Sequence, residues 1–134
     1  MHRLDTAAAL PPSLDDLAAI GERILADLPA EIRELMGPVP VVVRDWFDEE
    51  LLDAMEIDDP LDLTGLYQAI PIHERHSALP PGEPELIFLF RLPILHEWCE
   101  RSCPLEEVVF DVLTHEIGHH LGMDEEAVQR MEQR

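Results

Sequence analysis

The sequence predicts one α+β domain in which a small sheet packs against an amphipathic helix near the C-terminus. Three observations predict it. Apolar residues recur at helical spacing in two long stretches, one near the start of the chain and one from Leu105 to Leu121. Between them stand three short runs rich in β-branched, aromatic or aliphatic residues, Val39–Val43, Gly65–Ile70 and Leu86–Arg91. Proline, glycine and aspartate clusters punctuate these segments, as expected of turns between elements.

Residues 1–12 read as a loose arm ending in Pro11-Pro12. Ser13 is suited to cap a helix, with Asp16 three residues on completing a capping box. Leu14, Leu17, Ile20, Ile24 and Leu28 then mark an amphipathic helix of about 14–28. Pro29 ends or restarts it, and Ile32, Leu35 and Met36 suggest a short second helix stopped by Gly37-Pro38. Val39 to Val43 reads as a buried strand, Asp48 to Met55 as a short helix, and Asp58-Asp59-Pro60 as a turn. Gly65–Ile70 is a second strand, and His73 to Pro84 is a polar, proline-rich loop. The run Leu86–Arg91 is the clearest strand in the chain. Pro93 opens a short helix to about Arg101, and Pro104 suits the first turn of the next, which extends to about Leu121. Asp124 to Gln133 forms a final short helix. No repeat, low-complexity segment or second domain interrupts residues 1–134.

Composition narrows the possible partners. The chain has 134 residues, 46% of them hydrophobic, enough for one modest core. It carries 29 acidic and 9 basic residues, for a net charge of −20. That charge argues against nucleic acid, whose binding needs a cationic surface to displace counterions. It speaks first to a solvated acidic surface, and it can favour a basic substrate. No apolar run approaches the roughly 18 residues of a membrane helix, and no secretory leader is visible at Met1–Ala7. The expectation is a cytoplasmic protein with no membrane partner. Cys99 and Cys103 then read as partly buried free thiols rather than a disulfide framework.

The chemistry is concentrated in His115-Glu116-Ile117-Gly118-His119-His120-Leu121-Gly122-Met123-Asp124-Glu125-Glu126. The order is HExxH, then a glycine three residues after the second histidine, then a run of carboxylates. Positions four apart share one helix face, with Cβ atoms roughly 5–6 Å apart. His115 and His119 can therefore each send a ring nitrogen to one ion at about 2.0–2.1 Å. Glu116 follows the first ligand, where it can act as base on a metal-bound water. At about 100° per residue, Leu105, Val108, Val109, Val112, Leu113, Ile117 and Leu121 make one apolar arc, with Thr114 largely outside it. His119 and Glu116 fall inside that arc and His115 just beyond its edge. All three should point toward the protein body rather than to bulk water. Gly122 suits a left-handed helix end that turns the chain back toward the metal.

A third ligand must come from just after Gly122 or from upstream, because only 15 residues follow His119. Glu125 occupies the position that completes two histidines and a carboxylate, a known catalytic zinc set with one place open for water. Asp124 is the alternative and Glu126 the third choice, and any of them can instead favour the start of the last helix. His120 should pack and hydrogen-bond rather than ligate. His73, His76 and His96 read as loop or surface residues. Two imidazoles and a carboxylate suit Zn2+, although iron, cobalt or nickel can occupy the same set.

These residues resemble the short bacterial zincin-like metallopeptidase family, single-domain proteins with an HExxHHxGxx(D/E)E signature near the C-terminus. Three blocks carry the resemblance: Gly65-Leu66-Tyr67-Gln68 with Pro71, Ile87–Ile94, and His115 through Glu126. It implies a minimal zincin fold and a zinc peptidase acting on a peptide or protein, with His115, Glu116 and His119 in their family roles. The family usually has aspartate where this chain has Glu125. On that reading the strand 86–90 can align an extended peptide by edge pairing, and Tyr67 or Arg91 can stabilise the oxyanion, though Tyr67 is better suited to the core. Other readings are a repressor-cleaving regulatory protease, a zinc-dependent RNA-processing enzyme, which both the Glu116 position and the charge disfavour, and a catalytically silent, metal-stabilised binding module. Oligomeric state and cleavage preference have no sequence signal.

Overall fold

The computed structural model describes residues 10–55, 57–69, 85–123 and 125–132. Its elements run α1 (Leu14–Asp27), α2 (Ala30–Met36), β1 (Val41–Arg44), α3 (Glu49–Met55), a single 3₁₀ turn (Pro60–Asp62), β2 (Gly65–Ala69), β3 (Glu85–Phe90), α4 (Arg91–Arg101), α5 (Leu105–His120) and α6 (Glu125–Glu132). The architecture is α+β, with a three-stranded mixed sheet and helices on its faces. Most of the predicted arm, residues 1–9, and the predicted loop His73–Pro84 lie outside the described residues. No helix among the described residues is long and apolar enough to cross a membrane.

Local chemistry explains the boundaries. Ser13 Oγ accepts from the Asp16 N–H at 3.0 Å, and Asp16 Oδ2 accepts from the Ser13 N–H at 2.8 Å. This is the reciprocal capping box the sequence predicts at the start of α1. The Ser13 backbone N–H, and after it the Ser13 hydroxyl, hold the Asp16 carboxyl below its ordinary range. Asp59 caps the 3₁₀ turn through Oδ1, which accepts from the Leu61 N–H at 3.0 Å. The sequence reads as a plain turn there, because a single helical turn is too short to show a period. β3 passes straight into α4 with no loop, since Phe90 is extended and Arg91 already helical. The helix therefore starts two residues before Pro93.

The sheet order is β1-β3-β2. β1 runs parallel to β3, with Val41 opposite Ile87 and Val43 opposite Leu89. β2 runs antiparallel to β3, with Gly65 opposite Leu89 and Tyr67 opposite Ile87. This corrects one expectation. β3 is central, with a strand on each side, so it has no open edge on which to align a peptide. Its continuous apolar sequence is that of a strand buried on both faces, and β2 is the edge strand facing α5.

Alternation along the strands divides the apolar residues between two layers. On one face Ile87 and Leu89, both fully buried, join Leu17 and Ile24 of α1 and Val108, Val109, Val112, Leu113 and Ile117 of α5 in the main core. On the other face Phe90 packs with Phe47 and Leu63 in a smaller cluster. Phe47 meets the Phe90 ring edge-on, with centroids 5.3 Å apart. Thr114 is fully buried, against the expectation from the helical wheel. Its hydroxyl donates to the Asp111 carbonyl in its own helix at 3.2 Å, which removes the penalty for burying it.

β2 lies unusually close to α5. A Cβ added to Gly65 would stand 2.5 Å from Val112 Cγ1, 3.1 Å from the Phe88 carbonyl oxygen and 3.7 Å from Glu116 Cγ. Replacing Gly65 with alanine is therefore expected to force the strand and helix apart. Thermal or urea unfolding of Gly65→Ala should show a loss of about 1–3 kcal/mol, the usual cost of overpacking a core. An unchanged midpoint would contradict the close approach.

Candidate metal centre

α5 carries the predicted motif in its last two turns. The helix ends as the sequence predicts. Gly122 adopts φ +70°, the Met123 N–H donates to the Gly118 carbonyl at 2.8 Å, and the Gly122 N–H donates to the His119 carbonyl at 3.2 Å. That pair of bonds is a Schellman end with glycine in the left-handed position. It satisfies carbonyls at the end of α5 and reverses the chain, so that α6 packs back against α5.

His115, Glu116 and His119 line one cavity of about 380 Å³, together with Thr64, Glu97, Arg101, Asp111 and Val112. The two imidazole rings stand with centroids 6.1 Å apart and planes at 88°. Both rings are more exposed than the helical wheel suggests. The apolar arc seats the middle of α5 on the sheet, while its last turns border a cleft open to solvent. His115 Nδ1 is 3.1 Å from the Asp111 carbonyl oxygen. A carbonyl can only accept, so Nδ1 carries the proton in the neutral ring and Nε2 keeps the lone pair. This is the usual arrangement in a metal-ligating histidine, where a backbone carbonyl sets the tautomer.

Glu116 sits at the inner side of the cleft, half-buried between α5 and β2. Its Oε2 accepts from the Tyr67 backbone N–H at 3.3 Å. Burial pushes its carboxyl pKa up; the Tyr67 N–H, His119 and His115 pull in the opposite direction. A carboxyl raised in this way is better suited to hold a proton near neutrality than an exposed one.

The predicted ligands stand as follows. His115 and His119 share the cleft. Glu125 is the first residue of α6, but its side chain lies outside the described residues, as does all of Asp124. Glu126 is exposed and pairs with Arg130 at 3.2 Å, one turn along α6. Among the described residues no third histidine, cysteine, aspartate or glutamate completes a group of three metal-binding side chains. His115 and His119 nevertheless stand at helical i,i+4 spacing, as a metal pair requires, and the His115 ring is oriented by a carbonyl.

Two expected oxyanion partners are engaged elsewhere. Arg91 Nε donates to the Pro12 carbonyl at 2.6 Å and its Nη1 to Asp45 at 3.1 Å. It ties the incoming chain to the end of β1 and lines a different cavity. Tyr67 is buried, and its hydroxyl donates to Glu85 at 2.9 Å. Its pKa is pushed up, first by burial and then by the Glu85 carboxylate. His120, expected to pack and hydrogen-bond, has Nε2 3.1 Å from Glu85 Oε1 and lies flat on the Tyr67 ring. His96 is on the exposed face of α4, where it meets Glu100. Cys103 is partly buried against the core, whereas Cys99 is exposed.

The cleft also holds residues that the motif does not point to, Arg101 with its partners foremost. Arg101 spans Glu97 at 3.1 Å and Asp111 at 2.7 Å, and the Asp111 contact raises its pKa further. The Glu97–Arg101 spacing of four within a predicted helix is visible in sequence. The Asp111 partner, across the α4–α5 turn, is not.

The zincin-like metallopeptidase family matches residues 36–134, and the chain belongs to that family. No curated protein matches it.

The buried carboxyl has a thermodynamic consequence for the metal-free chain. Its folded pKa lies above the unfolded value, so ionisation disfavours the fold. The penalty is absent below the unfolded value of about 4.3 and complete once pH exceeds the folded pKa. Glu116→Gln removes the charge but keeps an oxygen for the Tyr67 N–H. In the metal-free chain this variant is expected to melt above wild type at pH 7, with the difference shrinking toward pH 4. A constant difference across that range would contradict the burial of Glu116.

Proposed function

We propose that this member of the zincin-like metallopeptidase family hydrolyses peptide bonds in a peptide or protein substrate, using one zinc ion. His115 and His119 would supply two ligands and Glu125 the third, with Asp124 as the alternative. The observation that carries the reading is the placement of Glu116. It is half-buried beside both imidazoles in one cleft and is held by a strand from a distant part of the sequence. A structural role for the histidines alone would not require a buried carboxylate, with its raised pKa, at that point.

A bound zinc ion would supply a Lewis acid that polarises a carbonyl and lowers the pKa of water toward about 7. The chain's own residues would supply the remaining functions. Asp111 holds the His115 ring through its carbonyl. Glu116 receives a proton from the attacking water at its carboxylate and passes it to the leaving amine. Its raised pKa favours the first step, because burial makes the carboxylate a better proton acceptor than an exposed one. The outer side of β2 is the strand edge next to Glu116, and an extended peptide would lie there by strand addition. The acidic walls, from Glu97 and Asp111, with Arg101 between them, favour a substrate without excess negative charge.

Metal analysis of the purified chain should give about one zinc per chain in wild type and a loss of that zinc in His119→Ala. Glu116→Gln should keep the zinc and lose peptide hydrolysis by about 10²–10⁴-fold, the range of general acid–base catalysis. Zinc retained by both variants, or equal turnover by Glu116→Gln and wild type, would refute the assignment. Zinc bound with no turnover of any peptide in a broad library would leave a metal-stabilised binding module as the better description.

A further inference from the structure

We infer that Tyr67, Glu85 and His120 form a positioning clamp for Glu116, an inference that rests on the catalytic role proposed for that carboxylate. Tyr67 makes two hydrogen bonds to opposite sides. Its backbone N–H reaches Glu116 Oε2 at 3.3 Å, and its hydroxyl donates to Glu85 Oε2 at 2.9 Å. The other Glu85 oxygen, Oε1, is 3.1 Å from His120 Nε2. The His120 ring stacks on the Tyr67 ring, with centroids 3.8 Å apart and planes at 8°. His120 lies one turn after Glu116 in α5, on the same helix side. The contacts therefore close a circuit from Glu116 to Tyr67, Glu85 and His120, and back to Glu116 through one turn of helix.

The direction of each bond is set by chemistry. A carboxylate oxygen accepts, so the Tyr67 hydroxyl and the His120 Nε2–H both donate to Glu85. Two donors from different elements then fix one carboxylate, and that carboxylate fixes them relative to each other. β2 needs such a fastening. It is a five-residue edge strand paired on one side only. The bond it makes to Glu116 is already at the long end of the N–H···O range, so a displacement of a few tenths of an ångström would break it. Gly65 against Val112 fixes the start of β2 on α5. The Tyr67–His120 stack fixes its middle, and Glu85 stops the rings from sliding over each other. None of the three side chains lines the cleft. They act on Glu116 only through the position of the Tyr67 N–H.

Amide hydrogen exchange on the full metal-free chain reads this directly. The Phe90 N–H, which donates to the Thr64 carbonyl at 2.9 Å, serves as an internal reference for the β2–β3 pairing. In Glu116→Ala the amide of residue 67 should lose protection, establishing its acceptor. In Tyr67→Phe, which keeps the ring, and in His120→Phe, which keeps the stack, the amide of residue 67 should exchange at least tenfold faster while Phe90 is unchanged. In the zinc-loaded protein the same two variants should lower kcat with KM and zinc content preserved. Unchanged protection at residue 67 in both variants, or equal loss at residue 67 and Phe90, would overturn the clamp, the latter showing only a weakened sheet. The exchange result stands whether or not any peptide is cleaved, so failure of the clamp and failure of the peptidase reading are separable.

Discussion

Gly65 allows the β2 backbone to lie against α5 at a distance no side chain would permit, and much of the site depends on that approach. Val112 fills the place where a Cβ would stand. Because the strand runs so close, a main-chain N–H two residues later meets a carboxylate on the helix. Backbone donors are rigid and cannot rotate away, which makes them good devices for orienting a reactive group. The same approach buries Glu116 and raises its pKa. Packing, orientation and proton affinity at this residue thus share one cause. They cannot be tuned independently without moving the strand.

The cleft is built from charges that largely answer one another. Arg101 is held by Glu97 and Asp111. Asp111 also lends its main-chain oxygen to His115 and Thr114. One residue therefore joins the wall of the cleft to a candidate ligand and to the core side of the helix. These ion pairs are partly exposed, so they contribute little to stability. Their value lies in geometry, since a guanidinium between two carboxylates has few ways to rearrange.

Sequence alone revealed those parts of the fold that are encoded locally. Ser13 with Asp16, Gly37, Gly122 and the helical period of α1 and α5 each determine conformation through neighbours a few residues away, and each appears in the structure where the pattern places it. The HExxH spacing is of the same kind, because a helix converts it directly into proximity. Strand order is not encoded locally. The apolar run of β3 shows that it is buried, yet burial on both faces fits a central strand and an edge strand covered by helices alike. The assignment of the aligning edge to residues 86–90 failed for that reason. Tyr67 reads as a core aromatic, and it is one; its main-chain bond to Glu116 spans 49 residues and leaves no trace in composition or period. Thr114 looked solvent-facing because the wheel has no knowledge of a hydroxyl satisfied by its own helix. For the third ligand, sequence still offers Glu125 and Asp124 through spacing alone.

The two halves of the site differ in how far apart their parts lie along the chain. His115 and His119 belong to a single helix, so forming that helix brings them together without any help from the sheet. Glu116 gains its partner only when β2 docks, which requires closing a much longer loop. The histidine pair is thus fixed by local structure, whereas the seating of Glu116 depends on a contact between distant segments. Under the proposed function, a change that loosens β2 would leave the two histidines at the same spacing while releasing the carboxylate between them.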